Sequence, residues 1–136
     1  MLGDKIGEER GRVTTTRVIP GEDYRYVKME MTFQASGTFL GQQSMDMGTF
    51  TAFERVPGQL YGEGRGIIML SSGESAIWNG HGVARMTGEG MAMSFRASVA
   101  YQAGQGKLER LNHVLGVVEF DVDAENNTVG RIWEWK

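Results

Sequence analysis

Residues 24–39 read Tyr24-Arg25-Tyr26-Val27-Lys28-Met29-Glu30-Met31-Thr32-Phe33-Gln34-Ala35-Ser36-Gly37-Thr38-Phe39. Apolar and polar side chains alternate along most of this stretch, and a period of two is typical of a β-strand with one buried face. A second stretch, residues 91–101, repeats the pattern. Its apolar face carries Met91, Met93, Phe95, Ala97, Val99 and Tyr101. The two stretches predict two long amphipathic strands.

Turn-forming residues divide the rest of the chain at fairly even intervals. Glycine, proline and asparagine favour turns through their special backbone conformations. Seven clusters of them lie at Pro20-Gly21, Gly41-Gln42, Pro57-Gly58, Ser72-Gly73, Gly88-Glu89-Gly90, Gly104-Gln105-Gly106 and Glu125-Asn126-Asn127. Seven short turns imply eight strands, and short connections join antiparallel neighbours.

We therefore predict an all-β fold in which residues 1–136 form a single domain, an eight-stranded antiparallel up-and-down β-barrel. Closure into a barrel removes the exposed strand edges that a flat sheet of long strands would leave. One short helical turn is predicted near residues 107–112, between the sixth and seventh strands. Its Leu108 and Leu111 would plug one end of the barrel.

Composition and charge exclude several classes of function. The 136 residues include 14 basic and 17 acidic side chains, without a basic block, which disfavours nucleic-acid binding. The absence of cysteine excludes disulfides and thiolate chemistry. His81 and His113 lack metal-ligand spacing, so we expect neither a metal nor a cofactor. The N-terminal residues lack the apolar run of a secretory signal, and no membrane-spanning segment is seen, so we expect a cytoplasmic protein without a membrane partner.

Twenty glycines are about twice the usual share of ~7%. Gly62, Gly64 and Gly66 share one face of the predicted fourth strand, and Gly80 and Gly82 share one face of the fifth. Each glycine costs a strand roughly 0.5–1 kcal/mol relative to alanine, so this band needs a compensating role. Two interpretations stay open: the glycines make room for large side chains from across the barrel, or they leave a cavity for a ligand.

The apolar faces of the strands predict a hydrophobic barrel interior that can hold a small apolar molecule. The residues predicted to line it are Val27, Met29, Met31, Phe33, Phe39, Trp78, Met93, Phe95, Phe120, Trp133 and Trp135.

Polar side chains on the strands offer few candidates for chemistry. His81 and Asn79 share a face, and the next strand can place Glu63 beside them, which forms either a proton-transfer cluster or a solvated outer face. Glu119 is a further weak candidate, although Glu119, Asp121, Asp123 and Glu134 are interpreted first as outward polar residues. The face of Asp46 stays open. An inward carboxylate would need a raised pKa or a cationic partner.

The segment Ala103-Gly104-Gln105-Gly106-Lys107-Leu108-Glu109-Arg110-Leu111, followed by Gly116-Val117-Val118-Glu119-Phe120 and a last hairpin into Trp133, is similar to the end of allene-oxide-cyclase-like and dirigent-like barrels. The whole chain also resembles small uncharacterised prokaryotic proteins of this calycin-like group. The chain departs from the pattern by inserting residues 112–115 before Gly116. The resemblance implies a barrel that encloses a hydrophobic small molecule, sometimes for cyclisation or stereochemical control, and often a homo-oligomer. It transfers no catalytic residue.

Three hypotheses about function follow. The first is binding of an apolar small molecule inside the barrel. The second is a cyclase or isomerase with His81, Asn79, Glu63 or Glu119 in proton transfer. The third is a packed barrel that acts through a homo-oligomer surface, because apolar residues fall on the otherwise polar outer face of strands four and five. Those residues are Ile67, Met69, Ile77 and Val83.

Overall fold

A computed structural model describes residues 2–20 and 27–136, so Tyr24 to Tyr26 of the quoted stretch lie outside the described residues. The strands are β1 (Leu2–Ile19), β2 (Lys28–Phe39), β3 (Gln42–Val56), β4 (Gln59–Leu70), β5 (Ser75–Met86), β6 (Met93–Ala103), β7 (Leu115–Val122) and β8 (Asn127–Trp135). A 3₁₀ helix, Glu109–His113, lies between β6 and β7. Within the described ranges, no helix is long and apolar enough to cross a membrane.

The eight strands form a closed antiparallel barrel in chain order, which confirms the predicted fold. Each strand pairs with the next, and β1 closes the barrel by pairing with β8. The long β1 serves both neighbours, since it pairs with β8 between Leu2 and Arg12 and with β2 between Gly7 and Ile19. In the closed barrel, one face of every strand points into the interior and the other face points outward.

The predicted turns after β2 to β7 connect successive strands, whereas Gly21 of the first cluster lies outside the described residues. Between β2 and β3 the backbone reverses through Leu40 and Gly41, with φ angles of 49° and 79°. The left-handed conformation is easy for glycine and uncommon for other residues. Gln42, which the sequence assigned to this turn, already belongs to β3.

The 3₁₀ helix closes one end of the barrel, as predicted. Leu108 and Leu111 are 2% and 0% exposed and belong to the hydrophobic cluster at that end. The amide of Asn112 ties the plug to the end of β6: its Oδ1 accepts from the Ala103 N–H at 2.8 Å, and its Nδ2 donates to the Ala103 carbonyl at 2.9 Å. Asn112 thus anchors the plug to β6.

Trp78 on β5 packs against glycines on two other strands, β3 and β4. An added Cβ at Gly66 would lie 2.3 Å from the carbonyl oxygen of Met47 and 2.5 Å from the Trp78 ring. An added Cβ at Gly48 would lie 2.4 Å from the same ring. Indole and strand backbone therefore touch directly, so at these positions glycine makes room for packing.

Two of the predicted lining residues face outward. Thr128, Gly130 and Ile132 fill the inward positions of β8 and are buried, so the alternation puts Trp133 and Trp135 on the outer face. Trp135 is 57% exposed. The prediction that these two tryptophans line the interior is wrong. The sequence around them alternates large apolar and charged residues, but the inward face of β8 is the one with small and aliphatic side chains.

We predict that Gly66→Ala lowers the free energy of unfolding by about 1–3 kcal/mol, because a methyl group there must displace the indole or the strand of Met47. Urea unfolding followed by circular dichroism measures the change. Gly104→Ala is the matched control, since no atom lies within 4 Å of its added Cβ, and we expect a change within about 0.5 kcal/mol. Equal effects at the two positions would contradict the packing argument.

Candidate ligand-binding cavity

A cavity of about 100 Å³ lies inside the barrel. Its apolar wall is largely aromatic, and it is formed by Phe33, Phe50, Trp78, Phe95 and Phe120. The rings pack in tilted and edge-to-face arrangements, with centroids 5.0 Å apart for Phe33 and Phe120 and 5.3 Å apart for Phe50 and Phe95. These contacts hold the rings in place and give the cavity a defined shape.

Glycines of the predicted band form another part of the wall. Gly62, Gly64, Gly80 and Gly82 all border the cavity. Both interpretations of the glycine band therefore apply. Gly66 makes room for the Trp78 ring, and the other four glycines of the band line the cavity. The bordering glycines are closely packed as well, since an added Cβ would lie 2.8 Å from Phe95 at Gly62 and 2.2 Å from the Arg96 carbonyl oxygen at Gly82.

Two carboxyl groups, Glu9 on β1 and Asp46 on β3, lie side by side in the wall of this cavity. They are 6% and 5% exposed and are hydrogen-bonded to each other. Glu9 lies over β8, where an added Cβ at Gly130 would be 3.0 Å from its Cγ. Asp46 also accepts hydrogen bonds from the indole Nε1 of Trp78, at 2.8 Å, and from the backbone N–H of Met47.

Burial decides the protonation of this acid pair, defined as Glu9 and Asp46. Desolvation, followed by the charge of Asp46 and the hydrogen bond between the two groups, raises the pKa of Glu9 to about 10. Desolvation also raises the pKa of Asp46, against the hydrogen bonds from Glu9, Trp78 and Met47, which lower it. At neutral pH Glu9 therefore keeps its proton and donates it to Asp46.

Tyr101 on β6 places its hydroxyl group beside the acid pair. The residue is 9% exposed and lines the cavity, and among the described residues its hydroxyl has no hydrogen-bond partner. The small Gly116 makes room for it, since an added Cβ there would lie 3.1 Å from the hydroxyl oxygen. Burial, and then the charges of Asp46 and Glu9, raise the pKa of Tyr101 above its ordinary value. The phenol is therefore neutral across the physiological pH range.

A second, wider pocket of about 610 Å³ lies at the barrel end opposite the plug. Its wall is rich in methionine and includes Met29, Met31, Met86, Met91 and Met93. Val27, predicted to line the interior, also borders this pocket but is 62% exposed. The predicted lining thus divides in two. Phe33, Phe39, Trp78, Phe95 and Phe120 line the aromatic cavity, and the methionines line the open end.

The predicted proton-transfer residues lie on the outer face. Glu63, Asn79 and His81 are exposed and alternate with the inward glycines of β4 and β5. Asn79 accepts a hydrogen bond from Arg65 at 2.7 Å, and Glu119 lies 3.6 Å from Arg96 in an ion pair. Glu63 and His81 also border the cavity, since they alternate with glycines whose positions have no side chain on the inner face. Their side chains face outward, so the solvated-face interpretation fits them.

Glu9 was not among the residues predicted from the sequence, and the face on which Asp46 lies was left open. The sequence does contain a signal for Glu9. Because side chains alternate along a strand, Glu9 shares one face of β1 with Gly7, Gly11 and Val13. The opposite face carries Glu8, Arg10 and Arg12. The face with two glycines and a valine is the one that packs inward, and Glu9 lies in its middle. No group of three acidic or histidine side chains in the described ranges is arranged to hold a metal ion.

Comparison with solved structures shows the same fold in bacterial proteins of unknown function. A protein from Clostridium acetobutylicum has a TM-score of 0.82 at 12% identity, with 98% of each chain covered. A protein from Rhodopseudomonas palustris has a TM-score of 0.79 at 12% identity, covering 98% of this chain and 97% of that one. A β-barrel-like protein from Acinetobacter baumannii has a TM-score of 0.82 at 8% identity, covering 100% and 96%. No known protein family and no curated protein sequence matches the chain.

We predict that stability falls as the pH rises from about 5 to about 10. The unfolded chain ionises Glu9 near the ordinary value of 4.5, whereas the folded protein keeps this proton up to about 10. Between these values unfolding releases a proton, so higher pH favours the unfolded state, by up to ~1.4 kcal/mol per pH unit for each proton. Urea unfolding at successive pH values measures the slope.

Glu9→Gln removes one titrating group and keeps a hydrogen-bond donor for Asp46. We therefore expect the free energy of unfolding to fall less steeply with pH than in the wild type, so that the variant becomes more stable relative to the wild type at alkaline pH. Glu8→Gln is the matched control on the outward side of β1. The hydrogen bond with Lys5 lowers the pKa of Glu8, so this residue does not titrate in the same window. A Glu9→Gln slope equal to that of the wild type would show that the pair is not protonated as described.

Proposed function

We propose that this protein binds a small apolar molecule inside the barrel. The aromatic cavity beside the glycine band carries the proposal. Its volume, about 100 Å³, is of the order of the roughly 150 Å³ engineered apolar cavities that take up benzene. A compound about as large as a single small ring is therefore the size that fits.

The walls of the cavity suit such a ligand. Fixed aromatic rings offer contact area without a large loss of side-chain freedom, and burial of apolar surface contributes ~25 cal/mol per Å². The wider methionine-lined pocket at the open end has flexible walls, which suits a route by which a ligand enters. A ligand of a few atoms cannot bind tightly, because each non-hydrogen atom contributes at most about 1.5 kcal/mol. We expect dissociation constants in the micromolar to millimolar range.

A cyclase or isomerase of the allene-oxide-cyclase-like type is the alternative, and the buried acid pair favours it. A protonated carboxyl next to a carboxylate, both inside an apolar cavity, is an arrangement that acid–base enzymes use. In this alternative Glu9 and Asp46 transfer protons, in place of the outer-face residues His81, Asn79, Glu63 and Glu119. NMR spectra of each compound recovered from the protein separate the two functions: unchanged resonances indicate binding, and new ones indicate turnover.

We also propose that the protein forms a homo-oligomer through one side of the barrel. Apolar residues meet across β3, β4 and β5 on the outer face, where Met45 pairs with Met69 and Ile67 pairs with both Met47 and Ile77. Met45, Met69 and Ile77 are 48%, 36% and 41% exposed. A contiguous exposed apolar patch of this kind is typical of a surface that a second subunit covers.

For the oligomer, we expect sedimentation velocity to show a dimer or larger species for the wild type and a monomer for Ile77→Lys, because a charge in the patch must be desolvated on association. Val18→Lys is the control, since Val18 is 59% exposed on β1, away from the patch. A monomeric wild type at high concentration would exclude the oligomer.

For the cavity, we expect a panel of ring-sized apolar compounds to quench or shift the fluorescence of Trp78 and to raise the melting temperature. Ala97→Leu should abolish these effects, because Ala97 lines the cavity and the larger side chain extends into it. Ala100→Leu is the matched control on the exposed side of the same strand. Compounds that bind the Ala97→Leu variant as well as the wild type would place the ligand elsewhere, and a panel without any effect would remove the proposal.

A further inference from the structure

The hydroxyl group of Tyr101 is a buried hydrogen-bonding group that nothing in the described part of the chain satisfies. Buried polar groups in folded proteins almost always have a partner, so an unpartnered one needs an explanation. Here the residue lines the cavity, and Gly116 keeps the space around the oxygen free of a methyl group; the oxygen itself is fully buried, so the ring must shift slightly before a molecule in the cavity reaches it. A molecule inside the cavity is the natural partner for it.

The neighbouring acid pair does not offer a comparable free donor. Glu9 donates its proton to Asp46, and Asp46 accepts further hydrogen bonds from Trp78 and Met47. The phenol of Tyr101 stays neutral and keeps its proton, so it donates. The partner of this donor must be a hydrogen-bond acceptor, and the oxygen of a carbonyl group is one.

The charges around the cavity set a second requirement. The ionisable side chains nearest to Tyr101 are the two carboxyls of the acid pair, and the residues that border the cavity include neither lysine nor arginine. An anionic ligand would lose its hydration without gaining a counter-charge, and it would be repelled by any charge on Asp46. The ligand that fits is uncharged.

We propose that the cavity binds small uncharged carbonyl compounds, with the ligand oxygen accepting a hydrogen bond from the hydroxyl of Tyr101 and the hydrocarbon part lying against the aromatic wall. This inference rests on the proposed function, the binding of a small molecule in the barrel, and adds the chemical class of that molecule. It assigns to Tyr101 the role of selecting the ligand.

The test compares two ligands of nearly equal shape, cyclopentanone and methylenecyclopentane, in which a CH₂ group replaces the carbonyl oxygen. Titration followed by ligand-observed NMR gives both dissociation constants. Transfer of a carbonyl group out of water costs more free energy than transfer of a CH₂ group, so each ligand is compared between the two proteins. We expect Tyr101→Phe, which lacks only the hydroxyl group, to bind the ketone about tenfold more weakly than the wild type does, as for the loss of one hydrogen bond in a buried site, and to bind methylenecyclopentane equally well. Butyrate, an anion of similar size, should not compete with the ketone.

A second measurement reports the hydrogen bond directly. The carbonyl carbon of ¹³C-labelled cyclopentanone should resonate further downfield when bound to the wild type than when bound to Gly116→Ala, which keeps Tyr101 but crowds its hydroxyl from 3.1 Å away. This variant keeps the inference testable if Tyr101→Phe does not fold.

The outcomes separate the inference from the proposed function. If Tyr101→Phe binds the ketone as tightly as the wild type does, or if it weakens the binding of both ligands equally, the carbonyl inference is wrong and the proposed binding function stands. If butyrate competes as well as the ketone, the requirement for an uncharged ligand is wrong. If none of the compounds binds, the proposed function fails, and the inference fails with it.

Discussion

Pairing of β1 with β8 gives this molecule an interior, and the other features depend on that closure. Once the sheet is closed, the number of strands limits the width of the interior, and every inward side chain competes for the same space. Trp78 takes a large share of it and can do so only because Gly48 and Gly66 present bare backbone to its ring. The aromatic cavity is the space left over, bounded by rings on one side and by glycines on the other.

The burial of the acid pair works against stability. Two carboxyl groups buried together cost free energy unless a proton and hydrogen bonds offset the loss of water, and here Glu9 retains a proton while Trp78 and Met47 donate to Asp46. The same indole thus packs on the glycines and supports the acid pair. A buried pair of carboxyl groups contributes little to the free energy of unfolding. Buried polar clusters of this type are concentrated at functional sites, which supports the proposal that the cavity binds a ligand.

The likeness to bacterial barrels of unknown function extends over nearly the whole chain but, at 8–12% identity, concerns the fold alone. A barrel can host unrelated activities, so function has to be argued from the side chains that a particular barrel turns inward. Around the cavity these include six aromatic rings, the two carboxyls of the acid pair and the phenol of Tyr101. They are the basis of the proposal that the ligand is small, uncharged and mostly apolar, with an oxygen at one end.

The amino-acid sequence by itself determined the strands, most of the turns, the plug with Leu108 and Leu111, and the inward aromatic residues of β2, β5, β6 and β7. These follow from local rules, because strand alternation and turn chemistry act between residues close in the chain. Local rules were insufficient for β8, where Trp133 and Trp135 looked like core residues although Ile132 faces inward. Only the tertiary structure decided that Glu9 meets Asp46, that Trp78 lies on Gly48 and Gly66, and that Tyr101 has no partner. Closure of the barrel brings together residues that are far apart in the chain, and the alternation within one strand carries no information about which residue lies across the interior.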